Sequence, residues 1–308
     1  MTTPEAIGGP EEIYPIEPGA AEVSRLRRIG RGLRSFARRS PLSAFWGCVA
    51  AAILVVALAA PLIAAYPPLK SDFRNMTKPP AAGHYFGTDQ IGRDTLSRVI
   101  YGSRASLTVA IGAVLFGTTL GALWGLASGY FGGRFDIVSQ RIIEFLQSFP
   151  DLILAMAIAM ALGAGLGTVI VAIAITRIPF GGRVIRNVVL SLKELSYVEA
   201  ARGLGASHLR MMARHILPQC IAPYLILATT HLGVAIIIEA SLGFLGVGIP
   251  PPTPTWGNML ADSLNAGLVP PWWLVLFPGS AITLTVLAFS LLGDGIRDLV
   301  DPRLRSAV

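Results

Sequence analysis

Residues 196–218 read SYVEAARGLGASHLRMMARHILP. Glu199, Arg202, His208, Arg210, Arg214 and His215 all fall in this one short segment. The chain around it is of another kind. Its 308 residues are 53% hydrophobic and only 14% charged, with a mean hydropathy of +0.62; a soluble domain carries about a quarter charged residues. Low charge and long apolar runs describe a polytopic membrane protein. The charged segment must then leave the hydrocarbon, and its side of the membrane sets the order of the spans.

Read as helices, Ser196–Leu204 places Tyr197, Ala201 and Leu204 along one stripe, with Glu199 and Arg202 opposite. Gly205 permits a left-handed or sharply turned backbone. Ser207 can cap a second helix of about three turns, with Arg210 and Arg214 on one face at i, i+4. Pro218 suits the first turn of the following span, where its missing N–H costs nothing. The segment is thus expected to be a helix, a hinge and a second helix at the membrane surface. A basic amphipathic helix lying on the bilayer would share this composition.

Working outward, residues 1–42 read as a tail. Its first part is rich in Pro, Gly and Glu without apolar periodicity, and its second, RLRRIGRGLRSFARRS, carries Arg25, Arg27, Arg28, Arg31, Arg34, Arg38 and Arg39. Beside a span such a run holds its end in the cytoplasm. No apolar stretch precedes residue 42, so the first span, 43–66, is expected to act as an uncleaved signal anchor. Residues 67–103, with Pro67, Pro68, Pro79 and Pro80, form a loop outside the hydrocarbon.

The remaining spans lie in a core at 104–293, followed by a tail at 294–308. The second span, 105–130, has Gly112, Gly117, Gly121 and Gly125 at four- or five-residue spacing, which lets helices approach closely in lipid. Residues 141–189 are too long for one span and carry GAGLG at 163–167, a turn between two helices. Arg183, Arg186, Lys193, Arg202, Arg210 and Arg214 outweigh Glu194 and Glu199, so residues 194–218 belong inside with the N-terminus. That parity demands an even number of preceding spans, which the split at GAGLG supplies, although the 67–103 loop is also net positive. A fifth span at 221–240 and a sixth opening at Trp272–Trp273 complete the set. The expected fold is an all-α polytopic membrane protein of about six transmembrane helices with both termini cytoplasmic.

Several functions are disfavoured. Cys48 and Cys220 form no disulfide framework or metal-ligand spacing and read as small packing residues. His84, His208, His215 and His231 are scattered. None of Lys70, Lys78 and Lys193 follows a glycine, so no phosphate-cradling GK[ST] exists, and neither GxSxG nor HExxH occurs. No catalytic residue, metal site or bound cofactor is expected. The formal charge of +7 clusters beside apolar runs, as topology-setting charge does, so nucleic acid is not an expected partner.

The order of residues in the opening stretch adds more. Glu199-Ala200-Ala201, then Gly205, then Leu217-Pro218 resembles the EAA loop of bacterial ABC-importer permeases, with His215 where the general pattern has isoleucine. RHILP at 214–218 is similar to the peptide-importer branch. The segments at 84–107, 129–136, 241–260 and 271–305 likewise resemble the C-type permease of dipeptide and oligopeptide importers. The resemblance covers residue 41 to the C-terminus. It implies a type I importer permease in the bacterial plasma membrane, paired with a second homologous permease. Two cytoplasmic ATPases would hold the ATP and Mg, and an extracytoplasmic binding protein would deliver di- or oligopeptides. Nickel or glutathione are the nearest alternative cargoes; an ATPase-independent channel or ion-coupled carrier is the alternative class. The residues assigned to ATPase coupling are Glu199, Ala200, Ala201, Arg202, Gly203, Gly205, Arg214, Leu217 and Pro218. At 177–186 the chain reads RIPFGGRVIR where the family commonly has Trp-Pro and then Ala-Arg, so Arg177 is a departure.

Four further residues are candidates for the path or its gate. Glu239, near the outer end of the fifth span, could line the path and meet a peptide's amino group, or face water or bond the external loop. Asp89, Arg93 and Asp94 could shape an external gate or binding-protein contact, or form a self-satisfied turn with an Asp cap. Arg141 and Glu144 stand three apart at the start of the third span and can pair.

Overall fold

A computed structural model describes residues 40–267 and 269–300. The tail arginines Arg25 to Arg39 and the segment 301–308 lie outside the described residues. Those described are mostly helical, the main exception being the long loop 64–94, which holds one short 3-10 turn and two isolated β-bridges.

The first helix, α1 (Pro41–Leu58), continues briefly as Ala60–Ile63. It ends short of the expected Tyr66, with Ala64 extended and the Pro67–Pro68 pair just beyond. Cys48 is exposed on α1, so it does not pack there as expected. The second helix, α2 (Thr95–Phe131), has 37 residues and starts ten earlier than its apolar core. At 1.5 Å per residue it is about 55 Å long, well beyond a hydrocarbon layer of about 30 Å. Asp94 caps it by accepting from Ser97 N at 2.8 Å, and Gly132, at φ +66°, ends it.

The third expected span is broken. Helices α3 (Gly133–Gln147) and α4 (Asp151–Leu162) meet at 90°. Pro150 lacks a donor and restricts Phe149, so helix does not continue through 148–150. Arg141 and Glu144 therefore lie on α3, before the bend; they pair at 2.9 Å and are exposed. Among the described residues, counting the bent pair as one span gives six by length and composition, and five otherwise.

Gly163 (φ +87°) and Gly165 turn the chain into α5 (Leu166–Lys193), as GAGLG indicated. Helix α5 packs along α2 backbone to backbone. A Cβ on Gly117, Gly121 or Gly125 would collide with the carbonyl oxygens of Ala174, Ile178 and Gly182 respectively, and one on Gly181 would stand 2.9 Å from Thr118 O. The regular glycine spacing is this seam.

Beyond α6 (Ser196–Gly203), the chain is helical without a break from His208 to Phe244. Residues Met211–Ile216 form a π-helical turn leading into α7 (Leu217–Phe244). The short helix α8 (Trp256–Leu264) carries a Thr255/Asn258 capping box, and α9 (Trp272–Val300) closes the bundle. Val109, Ala113, Ile173, Ile236, Leu242, Trp256 and Phe289, from α2, α5, α7, α8 and α9, share one buried core. Residues 67–94 and α8 cover one end of the bundle. Residues 196–216 occupy the other.

Candidate functional site

The segment 196–216 is anchored on one side and open on the other. Val198, Met211 and Ile216 are fully buried against Leu126 and Tyr130 of α2 and Ile185 and Val189 of α5. Ala201 and Ala206 pack partly into the same cluster. The buried face of α6 is therefore Val198 and Ala201, at i, i+3, and not the expected Tyr197–Ala201–Leu204 stripe. Leu204 is 90% exposed at the end of the helix, and half-exposed Tyr197 donates its hydroxyl to His215 O at 3.3 Å. One correct apolar residue one position away rotates a short helix by about 100°.

Gly205 adopts φ +78° with no atom within 4 Å of where a Cβ would stand. The left-handed backbone, not crowding, requires glycine here. Its N–H donates to Arg202 O at 3.0 Å, closing α6. Ser207 then caps the next helix, accepting from Arg210 N at 3.4 Å. The expected separate second helix is instead the lead-in to α7, so nothing flexible stands between Arg210 and the span. Pro218 sits in the first turn of α7 as expected. Tyr130 Oη and His208 Nδ1 lie 2.9 Å apart, tying the end of α2 to this lead-in.

Glu199, Ala200, Arg202, Gly203, Gly205, Arg210 and Arg214 are exposed, as are Leu209 at 74% and the partly covered Leu217 at 39%. Small, charged and apolar side chains thus share an uncovered surface held by a dry anchor. Val198, Met211 and Ile216 were missed as anchors because the charged residues between them hide their spacing.

At the opposite end, Asp89, Arg93, Arg98 and Asp262 form a closed charge cluster. Arg93 Nε donates to Asp89 at 2.6 Å, Arg98 bonds the same carboxylate, and both guanidiniums reach Asp262 of α8 at 3.5 and 3.3 Å. Two acids and two bases leave no net charge. Asp94 is the helix cap and pairs with His84 Nδ1 at 2.9 Å. The cluster straps the loop to α2 and α8, beside a small cavity of about 90 Å³. Glu239, 1% exposed, does not face water. Its carboxylate lies beside Ser106 of α2 and Thr255 at the start of α8, and Oε2 has no hydrogen-bond partner among the described residues.

A polar group that sequence reasoning left without a role lies between these ends. Arg177, 2% exposed within α5, pairs with Asp151 at the first turn of α4. Its Nε donates to Thr176 Oγ1 at 3.1 Å, and its guanidinium lies 5.1 Å from the Phe180 ring centre. Among the described residues, no group of three His, Cys, Asp or Glu side chains is placed to hold a metal.

Residues 95–306 match the family described as binding-protein-dependent transport system inner membrane component. A putative peptide transport system permease protein of Brucella suis is 43% identical over 253 residues, 82% of this chain and 85% of that protein. The dipeptide transport system permease protein of Alkalihalophilus pseudofirmus is 41% identical over 257 residues, 82% and 83% of the two chains. Among solved structures, an inward-facing form of the MetNI methionine ABC transporter superposes with a TM-score of 0.56, covering 67% of this chain and 98% of that one. At 19% identity that likeness speaks for the fold alone.

Proposed function

The chain belongs to the binding-protein-dependent transport system inner membrane component family, and from that membership we propose that it is one permease subunit of an ATP-driven importer of di- or oligopeptides. The single observation that carries the reading is the segment 196–216. It is buried on one side against α2 and α5, exposed on the other, and continuous with α7.

Glu199, Ala200, Arg202, Gly203, Gly205, Arg214, Leu217 and Pro218 form the docking surface for a cytoplasmic ATPase, while Ala201, assigned to it from the sequence, turns inward and helps anchor the segment. Exposed Ala200 and Gly203 permit close backbone approach, Leu209 offers apolar contact, and Glu199 and Arg202 supply hydrogen bonds at the rim. Movement of the docked ATPase passes through the π-turn and into α7 as a rigid-body displacement. The N-terminal half of α1 meets the C-terminal part of α9, a Cβ at Gly47 standing 3.2 Å from the Leu292 side chain. This supports both termini sharing the cytoplasmic side with residues 196–216. A second homologous permease completes the path, two ATPases bind ATP and Mg below, and a binding protein delivers the peptide above the Asp89–Asp262 strap. Peptide cargo is supported by the names of the relatives.

The test is co-purification and uptake. The solubilised complex should retain an ATPase, and with its binding protein in proteoliposomes it should accumulate labelled di- or oligopeptides only with ATP. A complex that never contains an ATPase returns the chain to the channel or carrier class. Uptake of nickel or glutathione, but no other peptide from a panel, reassigns the cargo alone.

A further inference from the structure

A fully buried arginine in a membrane helix is expensive, and it persists where a partner and a task hold it there. Depth is the first clue to the task of Arg177. It is the twelfth of 28 residues of α5. Its surroundings are equally central: His231, the fifteenth of 28 in α7, stacks edge-on to Phe180 at 5.6 Å, and Thr118 Oγ1 lies 3.3 Å from His231 Nδ1. The ion pair with Asp151 therefore sits near mid-membrane.

Asp151 opens α4, whose 12 residues span about 18 Å, roughly half the hydrocarbon thickness. Helix α4 is thus a half-span that starts at mid-depth, directly after the 90° bend. Interrupted helices at this depth are where transporters place polar groups against a cargo. The two partners differ in access: the Arg177 side chain is 2% exposed and the Asp151 side chain 33%. Only Asp151 Oδ2 is engaged by Arg177; Oδ1 has no hydrogen-bond partner among the described residues. A carboxylate open by a third at that depth cannot face lipid chains without a large desolvation cost. It must meet the aqueous path or a polar partner surface.

We propose that Asp151 lines the translocation path at mid-depth and takes the primary ammonium group of the passing peptide on its open oxygen, while Arg177 holds and orients that carboxylate. The proposal rests on the peptide-import reading above. Arg177 is the positioning residue: its fork fixes one oxygen and leaves the other to the cargo. An ammonium passing such a group meets one charged hydrogen bond in an otherwise neutral site, since the pair carries no net charge.

The test uses the complete complex, with both permeases, both ATPases and the binding protein, in proteoliposomes. Uptake of a labelled dipeptide and ATP hydrolysis stimulated by peptide-loaded binding protein are measured on the same vesicles for wild type, Asp151→Asn and Asp151→Glu. We expect Asp151→Asn to lose about tenfold in uptake, with stimulated hydrolysis within about twofold of wild type, and Asp151→Glu to retain most uptake. In parallel, Asp151→Cys in a chain without Cys48 and Cys220 should react with a water-soluble thiosulfonate reagent in the assembled complex.

Unchanged uptake by Asp151→Asn overturns the ammonium contact, and an unreactive Cys at 151 overturns its place on the path. Parallel loss of uptake and hydrolysis, or failure of both neutral variants to assemble, makes the pair a clamp and overturns the proposal. Absence of peptide uptake by wild type refutes the cargo reading instead, and the thiol reaction still decides whether position 151 faces the path.

Discussion

Arg186 grips Asp136 through two parallel hydrogen bonds, Nε to Oδ1 at 2.6 Å and Nη2 to Oδ2 at 2.5 Å. Ser128 Oγ donates to the same Oδ1 at 2.5 Å. The fork joins α3 to α5 next to the end of α2, just behind the anchor of residues 196–216. Asp136→Asn leaves the guanidinium without its charge partner and should cost about 2 kcal/mol. The apparent melting temperature of the purified complex should fall by roughly 4–8 °C on that basis. Arg186→Lys, which keeps charge but not the fork, should fall less. A wild-type melting curve for Asp136→Asn would show that the fork contributes nothing.

The glycines of α2 should respond unequally. Alanine at Gly121 would drive a methyl into the Ile178 carbonyl, whereas at Gly112 it meets only the movable end of Ile170 at 3.3 Å. Gly121→Ala should destabilise by about 2–3 kcal/mol and Gly112→Ala by under about 1 kcal/mol. Thermal stability of the two variants in detergent, side by side, checks the ranking; equal values would dissolve the backbone-contact argument.

Gly205 separates conformation from space. Gly205→Ala has room but pays about 1 kcal/mol for its left-handed backbone, so coupling should survive. Gly205→Pro cannot reach φ +78° and loses the hydrogen bond to Arg202 O. It should abolish ATP-dependent uptake while the protein remains in the membrane, and Glu199→Lys, on the exposed face of α6, should do likewise. Normal uptake by both Gly205→Pro and Glu199→Lys would remove the coupling role of the segment.

The charge cluster at the other end should be structural at its centre and tolerant at its rim. Asp89 is 5% exposed and holds two guanidiniums, while the Asp262 side chain is 42% exposed. Asp89→Asn should cost about 3 kcal/mol by leaving Arg93 and buried Arg98 to share the half-exposed Asp262 alone, and Asp262→Asn under about 1 kcal/mol. Limited proteolysis of residues 67–94 reads the difference: faster cleavage is expected only for Asp89→Asn, and equal protection would contradict it.

Much was legible without coordinates because it depends on local chemistry. The existence and apolarity of α1, α2, α5, α7 and α9 follow from what hydrocarbon tolerates, though the full length of α2 does not. Gly117, Gly121 and Gly125 announced a close helix seam by their spacing, and Gly205 announced a turn by its own backbone; Pro218 marks the start of the apolar span inside a helix that is already running. The partners were not legible. Nothing local distinguishes Val198 from Tyr197 as the buried face of α6; the cluster of Leu126, Tyr130, Ile185 and Val189 decides it. Glu239 reads as a span-end carboxylate until Thr255, sixteen residues on, closes over it.

What the sequence by itself determined is therefore the set of membrane helices, the segment that must leave them and the family to which both belong. Polarity, glycine and proline act within a few residues, and those effects are written in order along the chain. What only the tertiary structure decided is which side chains meet: Arg177 with Asp151 across 26 positions, Asp136 with Arg186 across 50, and the 90° bend that makes α4 a half-span. Such pairings depend on how rigid helices pack once each has formed, and helix packing selects among many registers by the summed fit of distant surfaces. A lone buried arginine becomes the holder of a candidate cargo contact, Asp151, only when the fold shows what stands beside it.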